Sequence, residues 1–305
     1  MFVAIVGHFS RRKLPFFVEI MRKEIIKGGK SISMVHYIGL SGSTIMTDPD
    51  KFPLLFNKDV EHIEIGEFSS RESFNNFLEL LNESKRSFGL HSPLYRNQSK
   101  YDLLEKVQYT PEQAWRQFES EVEYMARIGA EYVLVHFPYF KEEVEADTIE
   151  IIENGLRKLH LLQEKYSISI VCEPKLGLNL SPFGIKALNN FPIEIWDKYG
   201  INLCIDIGDY LIGTRNNVLD YIEKWKKYIK VVHLHNVEFH NNKYIWIPVH
   251  PSHESDNLHY SVSDIISELA ANSGVFFVFE HTPHANPTEE FVNEGINWIK
   301  ELIGR

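Results

Sequence analysis

The sequence predicts an α/β fold in which eight parallel strands close into a (β/α)₈ TIM barrel, with a short strand–helix addition at the N-terminus. Short apolar runs rich in β-branched residues alternate with longer amphipathic segments almost to the end of the chain. This alternation is typical of parallel strands joined by helical crossovers. The runs are apolar on both faces, as expected for strands that are buried on both sides. Eight such runs follow residue 30 in a chain of 305 residues, and a barrel of this type needs about 250 residues.

Periodicity and turn residues define the individual elements. Between Pro111 and Gly129, apolar residues such as Ala114, Phe118 and Val122 recur mostly at spacings of three and four. This predicts a helix that begins near the proline and ends near the glycine. Further helices are predicted at about residues 71–83, 146–165, 217–228, 262–272 and 288–302. The predicted strands are residues 31–40, 59–66, 86–92, 131–136, 167–173, 201–206, 228–235 and 275–281.

We expect residues 1–305 to form a single domain, in which residues 1–30 are the N-terminal addition and residues 31–305 are the barrel. Within the addition, FVAIVG has the pattern of a strand and Leu14–Lys27 that of a helix. The alternative is that FVAIVG is the first barrel strand. An open doubly wound sheet is a second alternative, although no GxGxxG or P-loop motif follows any predicted strand.

Composition and charge argue against some classes of partner. The formal net charge is −10, whereas affinity for nucleic acid depends on clustered Lys and Arg. The initial apolar stretch precedes the basic residues, which is the reverse of a signal peptide, and no apolar run approaches the roughly 18 residues of a membrane span. We therefore expect a cytoplasmic protein with no membrane or nucleic-acid partner. Cys172 and Cys204 lie in apolar runs and are expected to be reduced core thiols.

Most predicted strands end in a side chain that can bind a metal ion. These side chains are His91, His136, Glu173, Asp206, His233 with His235, and Glu280. In a parallel barrel, the C-terminal strand ends form the active-site face. Carboxylates gathered there would be costly to bury without cations between them. The sequence therefore predicts a divalent-metal site at the mouth of the barrel.

The ligand types narrow the choice of metal. Mixed imidazole and carboxylate ligands suit Zn²⁺, Mn²⁺, Fe²⁺ or Co²⁺ better than Ca²⁺, and we expect Zn²⁺ or Mn²⁺ first. His233 and His235 point to the same side of their strand because side chains alternate with a period of two. One of them can bind the metal while the other holds substrate, and we favour His233 as the ligand.

The motifs HSPLY, GAEYVLVHF, IVCEP, NLCIDIGDY, KVVHLHN and FVFEH resemble those of the xylose-isomerase-like TIM barrels. This superfamily includes sugar isomerases, keto-sugar epimerases, inosose dehydratase and the apurinic-site endonucleases. The resemblance extends from about residue 33 to the C-terminus, and it is specific for the superfamily rather than for one activity. It implies a central metal bound by Glu173, Asp206, His233 and Glu280, with the two glutamates also moving the proton.

The resemblance also implies between one and three metals per chain. In the endonuclease branch a second metal is held by two histidines that correspond to His91 and His136, with Glu173 bridging. A third metal in that branch uses a position that is Asp209 here, together with a histidine after strand seven. His253 is the candidate for that metal and the nearby His250 for a substrate contact, although the usual Gly-x-Gly is absent there.

Two functions follow from this site. The first is a metal-dependent isomerase or epimerase of a sugar, sugar phosphate or polyol, in which Glu173 and Glu280 transfer protons. Its substrate would be held by His235, Lys175 and His250. The alternative is a multi-metal phosphodiester hydrolase, favoured by the pair His91 and His136, and acting on a small phosphodiester rather than on DNA.

Other functions and the oligomeric state stay open. A binding protein or inactive relative would keep the same fold, and so would a lyase such as a dehydratase. Relatives often dimerise, so the chain could form a homodimer, but the sequence shows no clear interface stripe.

Overall fold

Eight parallel strands close into a barrel in the computed structural model of the protein, which describes residues 35–214, 217–240 and 243–304. The barrel strands are β1 (Tyr37–Ser41), β2 (His62–Ile65), β3 (Ser87–His91), β4 (Tyr132–His136), β5 (Ser169–Glu173), β6 (Asn202–Asp206), β7 (Ile229–Leu234) and β10 (Phe276–Phe279). Neighbours in sequence are neighbours in the sheet, and β10 pairs with both β7 and β1. The predicted TIM barrel is confirmed.

Helices separate the barrel strands. They are α1 (Phe52–Phe56), α2 (Arg71–Ser84), α3 (Pro111–Ile128), α4 (Thr148–Tyr166), α5 (Phe183–Asn190), α6 (Ile193–Asp197), α7 (Ile207–Thr214), α8 (Val218–Trp225), α9 (Ser263–Leu269) and α10 (Glu289–Leu302). The start of α3 follows the predicted chemistry. Thr110 and Gln113 form a reciprocal capping box, and Gly129 ends the helix at a φ of 84°. Among the described residues, no helix combines the length and the apolar character that a membrane span requires.

The predicted N-terminal addition, residues 1–30, lies outside the described residues, as do the first four residues of the predicted strand 31–40. The first barrel strand described is Tyr37–Ser41, and the barrel closes with the eight strands given above. A single domain over residues 1–305 therefore stays a prediction.

A two-stranded antiparallel sheet follows β7 and was not predicted. It consists of β8 (Asn236–His240) and β9 (Lys243–Ile247), with Val237 opposite Trp246. The sequence contains a signal for it, because two alternating segments are separated by two asparagines, a residue type that is frequent in turns. This sheet brings Tyr244 and Trp246 to the mouth of the barrel.

The inside of the barrel is filled by an apolar layer directly below the mouth. Its members include Leu134, Val171, Cys204, Val231 and Val278, and all of them are fully buried. Each of these residues lies two positions before a polar residue of the mouth. Because side chains alternate along a strand, the polar residue above each member points to the same inner side. Cys204 therefore lies directly below Asp206 on the inner side of β6.

A buried carboxylate holds the segment that follows β3. Glu121, on α3, accepts hydrogen bonds from Ser92 Oγ at 2.6 Å, from the backbone nitrogen of Leu94 at 3.1 Å and from Gln117 Nε2 at 2.9 Å. Burial raises the pKa of Glu121 to about 7. The three donors stabilise the carboxylate and so lower this pKa, but the effect of burial is larger. The folded protein therefore favours the protonated acid relative to the unfolded chain.

Glu121 should make the stability depend on pH between its unfolded pKa of 4.5 and its folded pKa of about 7. Because the pKa of this carboxyl group is higher in the folded protein, the folded state binds the proton more tightly. The free energy of unfolding therefore falls as the pH rises through this window, by about 3 kcal/mol in total. Glu121→Gln cannot ionise and keeps both an acceptor and a donor. Urea unfolding at pH 4.5 and at pH 8 should show the variant gaining stability relative to the wild type at the higher pH. A difference between the two proteins that does not change with pH would contradict this expectation.

Candidate metal centre

The polar residues predicted at the strand ends converge at one mouth of the barrel. His91, His136, Glu173 and Asp206 are the last residues of β3, β4, β5 and β6. His233 lies one residue before the end of β7, and Glu280 directly follows β10. Glu173, Asp206 and His233 are fully buried.

The first group that could hold a metal consists of Glu173, Asp206, His233 and Glu280, whose ligand atoms all lie within 4.8 Å of one another. His233 Nδ1 is 2.8 Å from Glu280 Oε2 and 3.3 Å from Glu173 Oε1. These are the four residues expected to bind the central metal. The structure thus brings together the full predicted set.

The second group consists of His91, His136 and Glu173. Glu173 Oε2 is 3.1 Å from His136 Nε2 and 3.3 Å from His91 Nε2. Burial lowers the pKa of His136 to about 3, so the ring is neutral and has a lone pair that can bind a metal. Glu173 contributes to both groups and is therefore placed to bridge two ions.

Several ligand atoms of the two groups lack hydrogen-bond partners, as expected for atoms that bind a cation. Within the described part of the chain, Glu173 Oε2, His136 Nε2 and His233 Nδ1 are buried and have no hydrogen bond of adequate geometry. Buried polar groups without such partners are rare unless a water or an ion satisfies them. The donor set of imidazoles and carboxylates suits Zn²⁺, Mn²⁺, Fe²⁺ or Co²⁺.

Lys175 lies among three of the carboxylates. Its Nζ is 2.9 Å from Glu173 Oε1, 2.5 Å from Asp206 Oδ2 and 2.9 Å from Asp209 Oδ2. Although burial opposes it, the positive charge of Lys175, with that of His233, holds the pKa of Glu173 well below its usual range. The ammonium therefore compensates carboxylate charge at the edge of the predicted metal groups.

Asp209 was predicted as a ligand of a third metal. It lies in the first turn of α7, and its backbone nitrogen donates to Asp206 Oδ1 at 2.9 Å. Burial and the charge of Asp206 raise the pKa of Asp209 to about 7. Asp209 is not a member of the groups of metal-competent side chains found among the described residues, and Lys175 is its nearby cation.

His235 was predicted to bind substrate, and it packs against the ligand set instead of lining the cavity described below. Its Nε2 is 2.8 Å from Asp206 Oδ1, and its ring centroid is 4.1 Å from that of Trp246. A Cβ at Gly208 would lie 2.2 Å from His235 Cε1. The glycine therefore makes room for this imidazole, which supports Asp206 from the side.

His250 and His253 do not reach the mouth. His250 Nε2 is 2.8 Å from Glu294 Oε2, and the ring of His253 stacks on that of His259 with centroids 4.1 Å apart. Neither histidine belongs to the metal-competent groups or to the lining of the cavity at the mouth. The roles predicted for His253, as a ligand of a third metal, and for His250, as a substrate contact, stay predictions from the sequence.

A cavity of about 650 Å³ opens above the two groups. His91, His136, Lys175, Asp209 and Glu280 contribute to its lining from the strand ends and the adjoining segments. The rest of the wall includes polar and aromatic side chains that the sequence did not identify as site residues, namely Ser41, Ser43, Thr47, Glu67, Arg96, Lys100, Tyr101 and Tyr244. Ser41 ends β1, Ser43 lies in the 3₁₀ turn that follows it, Tyr244 lies in β9, and the other residues lie in loops, where periodicity gives no signal.

Glu64 is the buried functional candidate that sequence reasoning missed. It lies on β2, is fully buried, and forms a metal-competent group with His91, His233 and Glu280. The signal was present, because a glutamate occurs within the apolar run HIEI. It was overlooked since Glu64 is not the last residue of its strand.

The fold and the site define the class of protein. The profile of the family described as xylose isomerase-like TIM barrel matches residues 42–302, and the chain belongs to that family. A comparison with curated proteins found no match.

Similar solved structures share the fold at low sequence identity. One is the 3-keto-D-glucoside 4-epimerase YcjR from E. coli, with a TM-score of 0.63 and 12% identity over 88% of this chain and 100% of that one. A D-tagatose 3-epimerase-like protein gives a TM-score of 0.60 and 16% identity over 87% and 98% of the two chains. A xylose isomerase-like TIM barrel protein from Mycobacterium smegmatis, in complex with magnesium, gives 0.54 and 13% over 84% and 87%.

Lys175→Met should strongly destabilise the metal-free protein at neutral pH. The substitution leaves three buried carboxylates without their shared ammonium, and loss of one partner of a buried ion pair costs about 3–5 kcal/mol. Urea unfolding in the presence of a chelator measures the loss. The control is Lys227→Met, which removes an exposed ion pair with Asp197 and should leave the unfolding midpoint almost unchanged. Equal midpoints for Lys175→Met and the wild type would show that the ammonium is not needed in this place.

Proposed function

We propose that the protein is a divalent-metal-dependent isomerase or epimerase of a sugar or a related polyol. The observation that carries this proposal is the position of two glutamates at the same imidazole. Glu173 Oε1 and Glu280 Oε2 lie 3.3 Å and 2.8 Å from His233 Nδ1. Both therefore belong to the ligand group, and Glu280 also lines the cavity. We infer that the pair moves protons on a bound substrate.

Glu173, Asp206, His233 and Glu280 would hold the metal. When bound, a divalent metal at this position would polarise a carbonyl and a neighbouring hydroxyl of the substrate. We expect Zn²⁺ or Mn²⁺ first, with Fe²⁺ or Co²⁺ as the other fitting ions. The magnesium complex of the mycobacterial neighbour shows that this fold can bind a divalent cation.

The two glutamates differ in access to the cavity. The side chain of Glu280 is 15% exposed and lines the cavity, whereas Glu173 is fully buried and contacts Lys175. Glu280 is thus positioned to exchange a proton with a substrate carbon directly. Glu173 would take or return the second proton, and Lys175 would donate a hydrogen bond to a substrate oxygen.

The cavity suits a monosaccharide in size and chemistry. Its volume of about 650 Å³ lies within the range of small-molecule sites. Tyr101, Tyr244 and Trp246 present aromatic surface to the C–H faces of a sugar ring, and serine, threonine, lysine and arginine side chains offer partners for hydroxyl groups. The neighbours described as a 3-keto-D-glucoside 4-epimerase and as D-tagatose 3-epimerase-like point to keto sugars as the first substrates to test.

We propose no nucleic-acid partner. Both lysines of the cavity lining pair with acidic side chains: Lys100 with Glu67 at 2.9 Å and Lys175 with Asp209 at 2.9 Å. A homodimer and a cytoplasmic location stay predictions from the sequence.

Glu173→Gln and Glu280→Gln should each lower proton transfer by about 100- to 10,000-fold, because an amide cannot act as the base. The assay follows incorporation of deuterium from D₂O next to the carbonyl in a panel of ketohexoses and 3-keto-glucosides, with metal content measured in parallel. Glu131→Gln is the matched control. Glu131 directly precedes the first residue of β4, at the end of the barrel away from the cavity, so this variant should keep wild-type exchange. Wild-type exchange rates in a metal-loaded Glu173→Gln protein would refute the proposed mechanism.

The second candidate is a metal-dependent hydrolase of a small phosphodiester. The observation that favours it is the group of His91, His136 and Glu173, since an epimerase with one metal does not require this histidine pair. Two ions bridged by Glu173 could hold a phosphate and activate a water.

Metal stoichiometry and His91→Ala should separate the two candidates. For the isomerase we expect one tightly bound metal per chain by elemental analysis, and an active His91→Ala variant with a reduced rate. Two tightly bound metals, with phosphodiesterase activity that His91→Ala abolishes, would instead establish the hydrolase.

A further inference from the structure

The barrel contains a buried polar chain below the metal groups that the proposed reaction does not use. Glu64 is at the end of this chain next to His233 and is fully buried. Its Oε2 accepts a hydrogen bond from the hydroxyl of Tyr132 at 2.8 Å, and its Oε1 is 2.8 Å from His233 Nε2. Both carboxylate oxygens of Glu64 are therefore engaged inside the barrel.

The hydrogen bonds of this chain run in one direction. Burial lowers the pKa of His62 to about 3, so its ring is neutral and has one N–H group. Because Tyr132 donates to Glu64, His62 Nε2 must donate to the tyrosine oxygen, 3.0 Å away. His62 Nδ1 then accepts from Ser87 Oγ at 2.9 Å. The donors thus point from Ser87 through His62 and Tyr132 to the carboxylate.

Two glycines provide the space for this chain. A Cβ at Gly89 would lie 2.5 Å from the ring of Tyr132, and one at Gly39 would lie 3.2 Å from His62 Cδ2. A side chain at Gly89 would force the Tyr132 ring to move, and one at Gly39 would crowd His62. The barrel is therefore built around these two rings, and the Tyr132 hydroxyl is directed at Glu64.

We propose that Glu64 is a positioning residue that holds the imidazole of His233 with its proton on Nε2, so that Nδ1 is the atom that binds the metal. A neutral imidazole has one donor and one acceptor nitrogen, and the hydrogen bond made by one nitrogen selects the role of the other. Glu64 can only accept from His233 Nε2. His233 Nδ1 is the atom that faces Glu173 and Glu280. This inference rests on the proposed function, because it assumes a metal at the central group.

The same geometry offers Glu64 a second role, as a metal ligand. Its carboxylate lies in a group with His91, His233 and Glu280 whose ligand atoms are within 4.8 Å. If Glu64 bound a metal itself, His233 would have to ligate through Nε2 and Glu64 would lose its contact with that nitrogen. The number of bound metals and the protonated nitrogen of His233 separate this role from positioning.

The first test measures zinc affinity of the full chain by competition with a chromophoric chelator. Glu64→Met removes the acceptor at similar volume and should weaken zinc binding about 10- to 100-fold, the usual effect of losing an outer partner of a metal-binding histidine. Glu64→Gln keeps an acceptor oxygen without its charge and should lie between Glu64→Met and the wild type. Glu61→Gln, exposed just before β2, is the control and should bind like the wild type. The zinc stoichiometry should be the same in all variants.

The second test examines the imidazole directly. In the zinc-loaded, ¹⁵N-histidine-labelled wild type, long-range ¹H–¹⁵N correlation spectra should show His233 protonated at Nε2 and coordinated at Nδ1, with the signals assigned by comparison with His233→Ala. This measurement needs no variant at Glu64, so it decides the question even if Glu64→Met does not fold.

The outcomes separate this inference from the proposed function. Unchanged zinc affinity in Glu64→Met, coordination through Nε2, or the loss of one zinc equivalent in Glu64→Gln would overturn the role of Glu64. If the wild type bound neither zinc nor manganese, the proposed function itself would fail. A wild type that binds zinc while Glu64→Met binds it equally well refutes only the positioning role.

Discussion

Compensation of buried negative charge is the constraint on which the mouth of this barrel depends. Glu64, Glu173, Asp206 and Asp209 are all buried, with Glu280 beside them. An ionised carboxylate in such surroundings is costly unless it is paired and hydrogen-bonded. Here the compensation comes from imidazole rings, from Lys175, and from the cations that the two ligand groups can accept.

The alternation of side chains along each strand explains why many residues of the mouth could be predicted. An inward position two residues above a buried apolar side chain is the last one before the cavity, and polar residues there face the same space. This placed His136 above Leu134, Glu173 above Val171 and Asp206 above Cys204. The barrel itself followed from the eight apolar runs, because parallel strands buried on both sides leave a strong hydrophobic pattern.

The parts that were missed depend on tertiary contacts that leave no local pattern. Glu64 lies one residue before the end of β2, inside the apolar run, where a polar residue is expected to be structural. Its role depends on Tyr132 and His233, which are 68 and 169 residues away in sequence. His250 and His253 show how little a loose motif match says about where a side chain lies. Histidines near the expected motif were available, but the 3₁₀ turn at Pro251–Glu254 and the contact with Glu294 hold them elsewhere.

Lys175 connects the electrostatics of the mouth to the choice between the two chemistries. Its ammonium already occupies the space between Glu173, Asp206 and Asp209, where a further cation would have to bind. A fixed cation of this kind can hydrogen-bond a substrate oxygen but cannot supply a hydroxide, which is what an additional metal contributes to hydrolysis. The position of Lys175 therefore favours proton transfer over phosphodiester cleavage beside Asp206 and Asp209. The proposal of a hydrolase then depends on the pair His91 and His136. Since these two histidines share Glu173 with the central group, the carboxylate that joins the two groups is also the residue through which either reaction would have to operate.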